Sequence, residues 1–149
     1  MKLKNIVLVE DNPNDAALAI RAFKKINIAN PVIILEDGME ALDYFFCRNK
    51  YADRDINDFP GLVLLDLKLP VVGGIEVLKQ IRSQAATKAF VVVVLTSSTE
   101  QQDLVDCYEL GANSYIRKPI DFNQFVEALK QIGFYWLSFN ETPKIALNK

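Results

Sequence analysis

A chain of 149 residues, half of them hydrophobic and about a quarter charged, can bury one substantial core, roughly 70% of the surface its unfolded form exposes. Its net charge of −2 lacks the basic footprint of a DNA- or RNA-binding protein, and the longest apolar run, Ala89–Leu95, is far short of the roughly 20 residues that span a bilayer. A first strand beginning almost at Met1 leaves no room for a signal peptide, so a cytoplasmic location is expected. Cys47 and Cys107 have no metal-type spacing and no histidine for company, and read as small packed hydrophobes.

Lys4–Val9 predicts a first strand that stops at a doubled acid, Glu10 and Asp11. Asn12 suits an N-cap, Pro13 the first helical position, and Asp15 adds negative charge where the helix dipole favours it. Ala16, Ile20 and Phe23 then recur at helical spacing. The VIIL run after Pro31 predicts a second strand, and Gly38 opens onto a helix whose apolar face is Met39, Leu42, Phe45 and Phe46. Lys50–Pro60 is polar and has neither period; it reads as a long loop, either a recognition insert or slack.

Gly61–Pro70 reads GLVLLDLKLP, an apolar run, Leu62–Leu65, that ends at one carboxylate, Asp66. A strand apolar at every position fits a parallel sheet covered on both faces, and ligands of such sheets bind outside the carboxyl ends of the strands. Pro70, Gly73 and Gly74 form a turn into a helix with Ile75, Leu78 and Ile81 on its stripe. Phe90–Leu95 is the strongest strand signal and runs into Thr96, Ser97 and Ser98.

A helix over Glu100–Leu110 is expected to turn Leu104, Cys107 and Tyr108 inward, with Gly111 as its cap. Ser114–Arg117 predicts a fifth strand closed by Lys118 and Pro119. Asp121 with Gln124 resembles a capping box opening the last helix. The aromatic run Phe134, Tyr135, Trp136 and Leu137 cannot face one side of a helix, so part of it should be exposed or meet a partner. Residues 1–140 read as one domain and 141–149 as a frayed tail.

Strands that alternate with helices predict an α/β protein, a doubly wound five-stranded parallel sheet in the order 2-1-3-4-5. In that sheet Glu10, Asp11, Asp66, Thr96, Ser97 and Lys118 converge on one edge. Crowded carboxylates repel by about 1 kcal/mol per adjacent pair in water and about 4 kcal/mol at an effective dielectric near 20, so a cation belongs among them. Lys118 offsets part of the charge, and an oxygen-only site suits a hard divalent ion, with Mg²⁺ the best fit. Carboxylates, a hard metal, a hydroxyl and an ammonium make a phosphoryl site, with Asp66 the candidate nucleophile.

The acid pair Glu10-Asp11, Asp66 in LLDLKLP, the Thr96-Ser97 step and Lys118-Pro119 resemble, in order and spacing, the receiver domains of two-component response regulators, with their flavodoxin/CheY-like fold. The resemblance spans nearly the whole chain. It implies Mg²⁺ ligands from Asp11, Asp66 and the backbone carbonyl of Lys68, with Glu10 acting through a water. It also implies phosphorylation of Asp66 by a phosphohistidine on a sensor histidine kinase, a cis peptide before Pro119, and a switch aromatic at Tyr115. Glu10 stands where aspartate is commoner in the family, and Leu69 where methionine is frequent. Lys68 and Ser98, two residues beyond Asp66 and Thr96, stand where the family tunes the lifetime of the phosphoryl group, and read equally well as plain exposed residues. The long loop and the FYWL stretch are similar to single-domain regulators paired with bacterial phytochrome-type kinases. Signalling by contact is then expected, through a homodimer of helices four and five and strand five and an unidentified downstream protein, with no direct nucleic acid or membrane partner. The rival readings are a receiver-like adaptor that is not phosphorylated, a Mg²⁺-dependent aspartyl-phosphate phosphatase, in which Lys68 stands where an acid is wanted, and a mononucleotide binder, whose phosphate EDNPND would repel.

Overall fold

A computed structural model describes residues 3–118 and 121–141 of the chain. Five parallel strands, β1 (Ile6–Val9), β2 (Val32–Leu35), β3 (Leu62–Leu65), β4 (Val92–Thr96) and β5 (Ser114–Arg117), form one sheet in the order β2-β1-β3-β4-β5. The helices are α1 (Pro13–Lys25), α2 (Gly38–Phe45), α3 (Gly74–Ser83), α4 (Gln101–Glu109) and α5 (Phe122–Phe134).

The central strands β1, β3 and β4 are buried because both faces of the sheet are covered, whereas the edge strand β2, equally apolar, is buried only at Leu35. Val7, Val9, Val63, Leu65, Val92 and Val94 point to one side and pack with Leu42, Phe45, Leu78 and Cys107 from α2, α3 and α4. Their alternates Ile6, Leu8, Leu62, Leu64, Val93 and Leu95 pack with Ala19, Phe23, Phe125 and Leu129 from α1 and α5. Asn12 caps α1 by accepting the amides of Asn14 and Asp15, and Pro13 holds the first helical position, as the sequence indicates.

Several side chains depart from expectation. Asp37, not anticipated as a cap, accepts the Glu40 amide at 2.7 Å and so sets the phase of α2. Gly38, Ala41, Leu42 and Phe45 face inward at i, i+3, i+4, i+7 spacing, which leaves Met39 exposed rather than in the core. Tyr108 is 52% exposed, because α4 covers the β5 edge of the sheet and buries only Cys107 fully. Asp121 accepts the Asn123 amide at 2.7 Å, but Gln124 makes no return bond among the described residues, so half of the capping box forms. The Cys107 thiol, buried on the sheet-facing side of α4, is pushed up to about 11, first by burial and then by Asp103 and Asp106, and it behaves as a packed hydrophobe.

The loop before β3 is fastened rather than slack. It begins with a 3₁₀ turn, Asn49–Tyr51, and the Arg54 guanidinium stacks 4.2 Å from the Tyr44 ring centroid while donating to the carbonyls of Asp55 and Asp58 at 3.3 Å. Phe59 meets Phe90 edge-on at 5.7 Å. On the opposite rim, at the amino ends of the strands, Arg82 ties α3 to the segments leading into β4 and β5 by donating to the carbonyls of Phe90 at 2.7 Å and Gly111 at 2.8 Å, and to Asn113 Oδ1 at 2.9 Å. Gly111 takes φ +90° at the end of α4, a conformation that only glycine adopts without strain.

After α5 the chain continues as a π-helical turn, Tyr135–Phe139. Trp136 and Leu137 pack against the α1/α5 core, whereas Phe134, Tyr135 and Phe139 are exposed, so the aromatic run divides between core and surface as expected. The expected cis bond before Pro119 and all but the first residue of the tail from Glu141 lie outside the described residues.

Candidate functional site

Register brings the strand ends together. Val9 is level with Leu65 in neighbouring strands, so Glu10 and Asp66 emerge side by side. Thr96 pairs with Arg117 on β5, and the Lys118 amide donates to the Thr96 carbonyl at 2.8 Å, which carries the lysine to the same rim.

Asp66 is only 7% exposed. Its Oδ1 accepts the Leu67 amide at 2.7 Å, with the Lys68 amide at 3.5 Å, and its Oδ2 lies 3.1 Å from Lys118 Nζ. The same ammonium is 2.5 Å from Glu10 Oε1 and 2.9 Å from Asp15 Oδ2. Asp15 was expected only to serve the helix dipole; from the first turn of α1 it also reaches the lysine. That ion pair joins residues distant in the chain, and a dipole-compatible acid in the sequence carries no sign of it.

Glu10, Asp11 and Asp66 each present a carboxylate oxygen within 4.8 Å of the others. Three hard oxygen donors with no nitrogen or sulfur among them suit a divalent cation such as Mg²⁺, and one lysine does not balance them. The Lys68 ammonium is exposed and has no lone pair to offer a cation, so only its backbone carbonyl is a candidate ligand.

Burial pushes Glu10 up to about 7; the Lys118 hydrogen bond opposes this and the Asp66 charge adds to it. Lys118 moves up as well: burial disfavours its ammonium, but the hydrogen bonds to Glu10 and Asp15 and the charge of Asp66 outweigh that cost. The lysine is therefore firmly cationic, whereas Glu10 holds a proton readily until more positive charge arrives.

Thr96 is fully buried at the end of β4, and its Oγ1 accepts the Ser98 amide at 3.2 Å. Ser97 is exposed, while Ser98, which read equally well as a plain surface residue, is buried. Tyr115 packs from β5 against the α2–α4 side of the sheet, and its hydroxyl is buried without a hydrogen-bond partner.

A parallel sheet in this order thus brings acids from two strand ends and a lysine from a third to one rim. Residues 6–130 match the response regulator receiver domain, and the chain belongs to that family. Receiver domains bind divalent metal and work with histidine kinases.

The chain is 41% identical over 138 residues to the probable methanogenesis regulatory protein FilR2 of Methanothrix harundinacea, covering 93% of this chain and 86% of that one. It is 35% identical over 140 residues to the response regulator Rcp1 of Synechocystis, covering 94% and 93%. The Mn²⁺-bound form of Rcp1 superposes with a TM-score of 0.85, at 34% identity, over 94% of this chain and 99% of that one. The phosphorylated cyanobacterial phytochrome response regulator RcpA superposes with a TM-score of 0.87, at 38% identity, over 95% and 99%.

Proposed function

We propose that this chain accepts a phosphoryl group from a sensor histidine kinase onto Asp66, with Mg²⁺ as the cofactor, and passes the signal on by protein contacts. The observation that carries this reading is the meeting of Asp66 Oδ2 with Lys118 Nζ at 3.1 Å beside the Glu10–Asp11–Asp66 oxygen cluster.

Asp11, Asp66 and the Lys68 carbonyl would hold the ion, with Glu10 acting through water. When bound, Mg²⁺ neutralises charge on the phosphoryl oxygens. An Asp66 carboxylate oxygen attacks phosphorus in line; the bond to the donor imidazole nitrogen breaks, and the imidazole leaves with the electron pair. Lys118, already on Asp66, stabilises the negative charge the group brings. Thr96 donates its hydroxyl hydrogen to a phosphoryl oxygen, and Ser97 lies beside it on the exposed side of the loop. As Thr96 moves, Tyr115 repacks and alters the face formed by α4, β5 and α5.

That face already exposes Val105 and Tyr108 on α4 beside the edge strand β5, and it supports a homodimer through α4, β5 and α5. Light scattering should give twice the chain mass at micromolar concentration; a monomer at every concentration, with and without phosphorylation, rules the dimer out.

Likeness to the cyanobacterial phytochrome response regulator RcpA supports a phytochrome-type kinase as the donor. Phosphotransfer from a panel of autophosphorylated kinases tests this. Transfer within seconds from a phytochrome-type kinase, lost in excess chelator, is expected. Preferential transfer from another kinase class contradicts the light-signalling assignment, and none from any kinase contradicts the phosphoacceptor role.

A further inference from the structure

Ser98 is where the loop after β4 meets α4, and its hydrogen bonds run both ways. Its amide donates to Thr96 Oγ1 at 3.2 Å, its hydroxyl donates to Asp103 Oδ2 at 2.6 Å, and its Oγ accepts the Glu100 amide at 3.2 Å. Glu100, the N-cap residue of α4, makes no side-chain cap bond, so Ser98 supplies the acceptor that the first turn lacks. A serine hydroxyl has one hydrogen; Asp103 takes it and thereby fixes the Ser98 side chain.

Ser98 and Thr96 are both buried, so water does not readily replace these bonds. The Tyr115 hydroxyl beside them is buried and unpaired. Burial raises its pKa, and Ser98 and Asp103 are among the groups acting on it, which places all three in one neighbourhood. Ser98 gives its single hydrogen to Asp103 at 2.6 Å and accepts the Glu100 amide, and the Tyr115 hydroxyl makes no bond of good geometry to it. A cluster with an idle buried donor has an unfilled alternative arrangement, since buried hydroxyls ordinarily find partners.

We infer that Asp103 is a positioning residue for Thr96: by holding the Ser98 hydroxyl it keeps the Ser98 amide on Thr96 Oγ1, and so holds the Thr96 side chain in the orientation it must leave before its hydroxyl hydrogen can reach a phosphoryl group. The inference rests on the phosphoacceptor reading of Asp66. When Thr96 turns to a phosphoryl oxygen, the Ser98 amide loses its acceptor, the Ser98–Asp103 contact rearranges, and the Tyr115 hydroxyl takes up a released acceptor. The first turn of α4 thus responds to Asp66 through three named side chains.

The test is a ¹⁹F NMR titration of the full chain with beryllium trifluoride and Mg²⁺, a non-covalent mimic of the phosphoryl group. Removing the latch destabilises only the unoccupied state, so Asp103→Ala and Ser98→Ala should each bind the mimic about fivefold to tenfold more tightly, the net effect of one ordinary hydrogen bond. The double variant should bind no more tightly than either single one, because one chain of contacts is cut twice. Asp103→Asn keeps an acceptor for the Ser98 hydroxyl and should remain close to wild type. Unchanged or weaker binding in Asp103→Ala, additive effects, or an Asp103→Asn variant resembling Asp103→Ala overturns the inference. So does a lowered thermal midpoint with no change in affinity, which would mark a merely structural role. If the folded wild type itself fails to bind the mimic, the phosphoacceptor reading has failed and this inference with it; wild-type binding with unresponsive variants sinks the inference alone.

Discussion

Lys118→Ala should destabilise the metal-free protein by about 3–5 kcal/mol near pH 8, the usual cost of stripping a buried carboxylate of its cation. Lys118 lies within 3.1 Å of Asp66, 2.9 Å of Asp15 and 2.5 Å of Glu10, and no other basic side chain forms an ion pair with these acids among the described residues. Acid should shrink the defect, since protonated carboxyls need no partner. Wild-type Glu10 fixes the direction: its folded pKa of about 7 exceeds the ordinary glutamate value of 4.5, so the native state holds a proton that the unfolded chain releases. Its contribution is therefore most favourable at low pH and is lost as pH rises from about 4.5 to about 7. Millimolar Mg²⁺ should reverse that trend and restore much of the variant's stability by supplying the missing positive charge. Urea unfolding from pH 5 to pH 8, in chelator and in Mg²⁺, measures both effects. An equal loss at every pH, indifferent to metal, would mean that Lys118 is not the counterion of this site.

Gly74→Ala should cost about 3 kcal/mol or more and impair phosphorylation in the molecules that remain folded. A Cβ built on Gly74 lies 2.1 Å from the Asp66 carbonyl oxygen and 2.7 Å from Leu67 Cα, both backbone atoms that no rotamer change can clear. The Gly74 amide also donates to the Leu67 carbonyl at 2.9 Å, so the start of α3 is clamped against the turn that presents the phosphoacceptor. Gly73 is the internal control. Its Cβ would meet only the Leu67 carbonyl oxygen, at 3.8 Å, so Gly73→Ala should change stability by less than about 0.5 kcal/mol. Paired thermal melts and phosphorylation rates decide the matter, and equal behaviour of the two variants would refute the clamp.

The fold was legible because four short apolar runs, and the briefer SYIR segment, each end in a polar residue and alternate with helical patterns; parallel pairing then leaves little choice of which rim Glu10, Asp66 and Lys118 share. Thr96 follows from the same logic. Asp15 was visible only as a good first-turn acid, because its second partner lies on another strand far along the chain. Periodicity misplaced Met39 and Tyr108, since helical spacing gives a stripe but not its phase over a short helix at the margin of a sheet. Ser98 was undecided for a similar reason: a serine after a strand is as often wet as buried, and only the approach of Asp103 from α4 distinguishes the cases. The loop before β3 has no period, and its order comes from Arg54 stacking on Tyr44, a tertiary contact.

The account depends on separate strand ends forming a single acid, metal and lysine pocket around Asp66. Intact-mass and peptide-mapping spectrometry of the chain after incubation with Mg²⁺ and acetyl phosphate tests this most directly. One added phosphoryl group located on Asp66, absent in Asp66→Asn and in excess chelator, is the predicted result; no phosphorylation of the folded protein, or a phosphoryl group elsewhere, would contradict it.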